Sequence, residues 1–272
     1  AHVEAPTAVS VMLAGVLLKM GAYGMLRINS FILPEATQSL AFILGVLAVI
    51  NVVYGAGVSM VQDDMKKMIA FSSVSHMGFV LLGWSALNVV SVNGAALQMF
   101  THGTISGLLF MLVGTLSEKT PHHIRFVSKL GGIAPKMPWL ATIFVIASLA
   151  SLGLPGLSGF VAEFVIFIGS YTRPGWEAFT ILCATGIVLT AVYMLWMIQR
   201  SFFGPLKNPE MENVKDAHGI ELVPLVILVG SILLVGLFPA ILTDVIANGV
   251  EPLIERMGSA PTGGALAFLP PW

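Results

Sequence analysis

From residue 68 to residue 117 the chain carries no Asp, Glu, Lys or Arg. Residues 36–62, 137–162, 178–199 and 222–243 are free of them too. A soluble globule cannot hide that much apolar surface, because polar residues must cover its outside. A helix of about 20 apolar residues crosses the hydrocarbon core of a bilayer. The longest run therefore holds two crossings, with Asn88 and Asn93 marking the turn between them. Barrel strands would alternate in hydrophobicity over about ten residues, and these runs are continuous. The expectation is an all-α, polytopic membrane bundle of about seven transmembrane helices, over 7–29, 38–61, 67–86, 92–117, 138–170, 178–202 and 219–245.

Composition removes other classes. Hydrophobic residues make up 56% of the chain and charged ones 10%, against about 25% charged in soluble domains. A cytosolic enzyme, a secreted disulfide scaffold and a disordered tail are excluded. Lys plus Arg number 13 against 14 Asp plus Glu, so no basic excess is available to neutralise nucleic-acid phosphates. Cys183 is the single cysteine, which leaves no intrachain disulfide and no cysteine-based metal or iron–sulfur site. No phosphate-binding glycine loop, nucleophile elbow or CxxC is present. His122 and His123 are adjacent in a basic loop and read as solvated, since neighbours on a helix point apart. The 14 methionines are scattered core filling rather than a copper site. No metal and no cofactor is expected in this chain.

The first span lacks a basic leader and contains Lys19, so it is not a cleavable signal. The fifth is too long for one straight crossing. It holds Gly153-Leu-Pro155-Gly156, where the proline removes a backbone donor and the glycines relax the chain, so a broken helix is expected. The chain reads as one transmembrane domain over 1–250 and a loose tail over 251–272, rich in Gly, Ser, Pro and Thr from 258 on. Loop charges set the orientation. The side of the N-terminus collects Lys66, Lys67, Lys119, Arg125, Lys129, Lys136, Arg200, Lys207 and Lys215. The other side collects Arg27, Arg173 and Arg256. That places the N-terminus in the cytoplasm and the C-terminus outside.

A charge at the bilayer centre costs about 2.5–3.5 kcal/mol on insertion scales, so each intramembrane ionisable group needs a reason. Lys19 sits mid-span, roughly 12 Å from the nearer helix end, too far to snorkel comfortably. Glu163 lies eight residues beyond Pro155 in apolar surroundings. His76 and His102 sit near the middles of the third and fourth spans, and histidine can pass a proton through its two nitrogens. Ser72, Ser73, Ser75, Thr101, Thr104 and Ser106 surround them, and tight helix packing explains most of these. Low dielectric disfavours the charged form of acid and base alike. Four such groups, each on its own span, compose the acids and bases that a proton path needs.

At these residues the sequence resembles the antiporter-like subunits of respiratory complex I, NADH:quinone oxidoreductase. The matching stretches are Ala1–Ser10, Leu13–Gly24, Gln62–Gly78 and Ser151–Phe164. Glu163 in place of a lysine, and the residues around Lys19, are most similar to the subunit M type (mitochondrial subunit 4). The resemblance covers about residues 1–245 and implies an antiporter-like inverted-repeat fold. By match, Lys19 is the connecting lysine of an eighth span, His76 and His102 the histidines of a tenth and eleventh, and Glu163 the exit carboxylate of a broken twelfth. It also implies proton translocation coupled to quinone reduction elsewhere, with no redox chemistry in this chain. Its implied partners are the other membrane subunits of the complex, neighbouring antiporter-like subunits among them, in a bilayer that would be a bacterial inner membrane. The family's first seven spans are absent from residues 1–272, so a missing segment or a separate chain is expected to supply them. Two other readings stand beside this one: a subunit of a multi-subunit cation/proton antiporter or membrane-bound hydrogenase, and a non-conducting structural scaffold.

Overall fold

The computed structural model describes residues 3–258. Among them the backbone is helical or in short connections, with one isolated bridge between Asp64 and Phe126 and no strand. Hydrocarbon offers no partner for backbone polar groups, and a helix satisfies them within itself. The helices are α1 (Thr7–Ile32), α2 (Pro34–Met60), α3 (Met65–Ser85), α4 (Val89–Lys119), α5 (Pro138–Ser151), α6 (Ser158–Tyr171), α7 (Glu177–Phe202), α8 (Leu222–Leu237) and α9 (Ala240–Gly258). Among the described residues six helical stretches are long and apolar enough to cross alone. α5 and α6, separated by residues 152–157, make the seventh crossing between them.

Three sequence expectations need correction. Asn88 marks the turn after α3, where its side chain accepts from the Ser91 amide at 2.9 Å and caps α4. Asn93 lies inside α4, not in the turn. The last span was expected over 219–245, but the helix ends at Leu237 because Pro239 cannot donate to a continuing ladder. A separate helix, α9, then runs to Gly258, eight residues into the expected tail. Residues 259–272 of that tail lie outside the described residues.

Burial runs inside out relative to a soluble protein. The most polar spans, α3 and α4, are the most buried, and the most apolar, α8, the least. α2 presents Phe42, Ile43 and Ile50 outward; α7 presents Ile181 and Val188; α8 presents Val226 and Ile227. These faces suit lipid, while hydroxyls and imidazoles turn inward. Between two oily helices there is little hydrophobic drive to associate, so close van der Waals packing of small residues takes over. A Cβ built on Gly55 would stand 2.7 Å from the Ser75 nitrogen, and one on Gly78 2.9 Å from the Val52 nitrogen. At this crossing of α2 and α3, the Ser75 hydroxyl donates to the Val52 carbonyl at 3.0 Å.

The connections interlock at each end. At the end near residue 7, Asp64 caps α3 through the Lys66 amide and pairs with Arg125 Nε at 2.8 Å. Lys66 Nζ donates to the Ala5 carbonyl at 2.5 Å. Asp216 accepts from the Trp139 and Leu140 amides at the start of α5, and Lys119 pairs with Glu221 at 2.8 Å. At the far end α9 lies across the bundle. Its Val250 and Leu253 pack with Leu26, Trp84 and Val92, while Asp244, Glu251 and Glu255 face away.

Candidate functional site

The site forms around the break between α5 and α6. Gly153 (φ +78°) and Gly156 (φ +91°) adopt left-handed backbone, which glycine takes without steric cost. Pro155 sits between them and prevents the helix from closing. The Leu154 amide reaches five residues back to the Leu149 carbonyl at 3.0 Å, so α5 ends in a widened turn. The chain restarts at Ser158. Ser148, Ser151 and Ser158 are all buried here, and the Ser148 and Ser158 hydroxyls have no hydrogen-bond partner among the described residues.

Glu163, on the second turn of α6, is 3% exposed. Its Oε1 stands 3.3 Å from His76 Nδ1, on α3. A Cβ on Gly153 would stand 2.8 Å from the other carboxylate oxygen, so the absent side chain leaves room for Glu163 to lie against the break. His76 Nε2 lies 3.2 Å from the Ser151 hydroxyl at the end of α5. One imidazole thus touches both halves of the broken helix, with a different nitrogen toward each. The His102 ring, on α4, lies 5.3 Å from the His76 ring centre to centre, and its Nδ1 has no partner among the described residues.

Lys19 is 7% exposed and sits on α1 just after a stretch of π-helix, Leu13–Leu17. That wider turn leaves the Ala14 carbonyl five residues behind Lys19 to accept its Nζ. The same carbonyl lies 3.4 Å from the Ser106 hydroxyl, which donates to the His102 carbonyl at 2.5 Å. Lys19, Ser106, His102, His76 and Glu163 therefore lie in one row of buried polar residues, with the Ser106 contacts made to the backbone carbonyls of Ala14 and His102. A cavity of about 440 Å³ lies beside Lys19, lined by Gly15, Met99, Phe100 and, from α9, Leu242 and Ile246.

All four ionisable residues singled out in the sequence are buried, and they fall on this one line. Most of the surrounding hydroxyls are not part of it. Ser72 and Ser73 donate to the Ile69 carbonyl, Thr101 to Gln98 and Thr104 to the Thr101 carbonyl, which is helix packing. Ser106 bonds its own helix in the same way and differs only in also reaching the Ala14 carbonyl of α1. His122 and His123 are exposed in their loop, and no group of three or more His, Cys, Asp or Glu among the described residues could hold a metal ion.

Sequence reasoning missed Tyr193. It lies on α7, wholly buried, with its hydroxyl donating to Thr190 at 3.3 Å and with Ser72 and Glu163 nearby. A phenol deep inside an apolar span was the available signal, since a buried tyrosine hydroxyl usually finds a partner.

Fold and site together define a class: multi-pass membrane proteins whose ionisable groups are buried around a broken helix. Residues 1–190 match the family model described as "NADH:quinone oxidoreductase/Mrp antiporter, TM". NADH-quinone oxidoreductase subunit M of Rickettsia bellii is 44% identical over 94% of this chain and 51% of its own length. NAD(P)H-quinone oxidoreductase chain 4 of Gloeobacter violaceus is 42% identical over 98% of this chain and 52% of its own. Among solved structures, respiratory complex I from Thermus thermophilus superposes with a TM-score of 0.83 at 30% identity, over 95% of this chain and 52% of that one. The Mrp complex from Dietzia sp. gives 0.85 at 20% identity, over 94% and 55%, a likeness of fold alone. The chain belongs to the NADH:quinone oxidoreductase/Mrp antiporter transmembrane family and has its antiporter-like membrane fold. It spans about half the length of the curated relatives it matches.

Proposed function

We propose that this chain works as a proton-translocating membrane subunit of NADH:quinone oxidoreductase, driven by electron transfer from NADH to quinone in other subunits. Lys19, His102, His76 and Glu163 carry the proton, and the break at Gly153, Pro155 and Gly156 shapes the end of the path. The observation that carries the reading is His76, which stands 3.3 Å from Glu163 through one nitrogen and 3.2 Å from Ser151 through the other. An imidazole so placed can take a proton at one nitrogen and give one up at the other. Relatives named as subunit M and chain 4 support the assignment to that enzyme, and its other membrane subunits are the partners.

The energetics allow it. A positive charge brought to about 4 Å from Lys19 would repel the ammonium by about 4 kcal/mol at an effective dielectric of about 20. Moving one proton against about 100 mV takes about 2.3 kcal/mol. One charge arriving beside Lys19 is therefore enough to send its proton along the line toward Glu163. Lys19 and the histidines exchange it through water, and Glu163 releases it at the far side. The chain sits in a bacterial inner membrane with the end near residue 7 cytoplasmic, a placement supported by nine loop cations on that side against three.

The deciding experiment is Glu163→Gln in the assembled enzyme in proteoliposomes, with protons moved per NADH oxidised as the readout. The proton yield should fall while the complex still assembles and still reduces quinone. A wild-type yield would remove Glu163 from the path and the proposal with it.

A further inference from the structure

On the reading that Glu163 carries the transported proton, we propose that Ile166 is the far-side gate, an apolar plug that separates Glu163 from the polar groups at the far end. Residues 163, 166, 170 and 173 follow one another at helical spacing along one face of α6 and just past its end. Glu163, Ile166 and Ser170 are all buried, at 3%, 0% and 0% exposed. Glu163 and Ser170 are about 10 Å apart along the axis at 1.5 Å per residue. Ile166 fills that interval. Two glycines let the neighbouring helices close on it. A Cβ on Gly94 of α4 would stand 2.7 Å from the Ile166 nitrogen and 2.9 Å from its Cγ1, and one on Gly83 of α3 would stand 3.1 Å from Cγ1.

Polar groups resume on the far side of the plug. The Ser170 hydroxyl is buried with no hydrogen-bond partner among the described residues. Arg173 donates to the Ser85 carbonyl at 2.5 Å and stacks on Trp176 at 3.6 Å, and the Trp176 indole donates to the Ser85 hydroxyl at 3.2 Å. A proton moves only along hydrogen-bonding groups, and a constriction lined by methyl groups excludes the water that would supply them. Ile166, in one apolar cluster with Phe79 and Leu82 of α3, therefore breaks the wire. Arg173 adds a fixed positive charge at the mouth, which opposes back-flow of protons when the plug opens. Release from Glu163 requires α6 to shift against α3 and α4, so that water bridges Glu163 to Ser170.

The test uses the whole enzyme in proteoliposomes without NADH, with a potential imposed and passive proton flux recorded by an internal pH dye. Ile166→Ser should raise that flux about tenfold, equivalent to about 1.4 kcal/mol off the barrier. Ile166→Val, which keeps a branched apolar plug, should remain tight. The Ile166→Ser Glu163→Gln pair should lose most of the added flux, because the leak passes through the carboxylate. A leak that persists undiminished in the pair marks general loosening and overturns the gate. So does an Ile166→Ser enzyme as tight as wild type. Glu163→Gln alone tells the two failures apart: a wild-type pumping yield refutes the proton path, whereas a lost yield together with a leak undiminished in the pair refutes the gate.

Discussion

At the scale of single residues, the site depends most on His76, because it stands against both halves of the broken helix from α3. His76→Ala would take the imidazole from beside the Glu163 carboxylate and leave the Ser151 hydroxyl without that hydrogen bond, a cost of about 1–3 kcal/mol for a buried unsatisfied polar group. The expected outcome is a large fall in protons moved per NADH, together with a lowered unfolding temperature in detergent. Gly153→Ala is expected to act on the same carboxylate from the other side. Its Cβ would crowd Glu163 Oε2 at 2.8 Å, and its φ of +78° strains any non-glycine by about 1–2 kcal/mol. Proton yield should drop in this variant while Gly175→Ala, also at positive φ but with open space around it, leaves the yield unchanged. Lys19, His76, His102 and Glu163 were legible in the sequence because charge in an apolar span is conspicuous. Tyr193 was not, since a phenol is apolar enough to pass as filling and polar enough to pass as an interface residue.

At the scale of elements, the break after Ser151 could be read directly from Gly153, Pro155 and Gly156, and the structure puts it there. The π-helical turns of α1 could not, because no residue type announces them; they come from how the helix packs. Their consequence is testable. Deleting Val16 would take out the extra residue that the π-turn absorbs and restore ordinary helix with the flanking faces kept in place, so that Lys19 stands four instead of five residues past Ala14. The Ala14 carbonyl would then accept the Lys19 amide in the regular ladder and be lost to the Lys19 ammonium. The deletion should lower the proton yield although the lysine is still present. The split of the last span had a signal that apolar content masked. Pro239 ends α8, and Ile246, Val250, Leu253 and Met257 recur at helical spacing beyond it, opposite Asp244, Glu251 and Glu255.

At the scale of the whole molecule, charge-free runs settled how often the chain crosses the membrane, but they carry no information on which helix touches which. That follows from small residues such as Gly55 and Gly78, whose partners are chosen in three dimensions. Orientation rests on a separate property, the excess of Lys and Arg in the loops of one side. Those loops are drawn together by Asp64 with Arg125, Lys119 with Glu221 and Asp216 with the start of α5, so the nine cations share a single face. An anionic inner leaflet and the insertion machinery both favour a cytoplasmic position for a cationic face, and the proposed orientation rests on that. Lys129 is exposed on it, and Thr172 is exposed at the opposite end. With buried Cys183 retained as an unreactive internal control, Thr172→Cys should react with a membrane-impermeant maleimide in intact spheroplasts. Lys129→Cys should react only after the membrane is opened. The reverse pattern would turn the molecule over and make Glu163 the entry of the path and Lys19 the group nearer its exit.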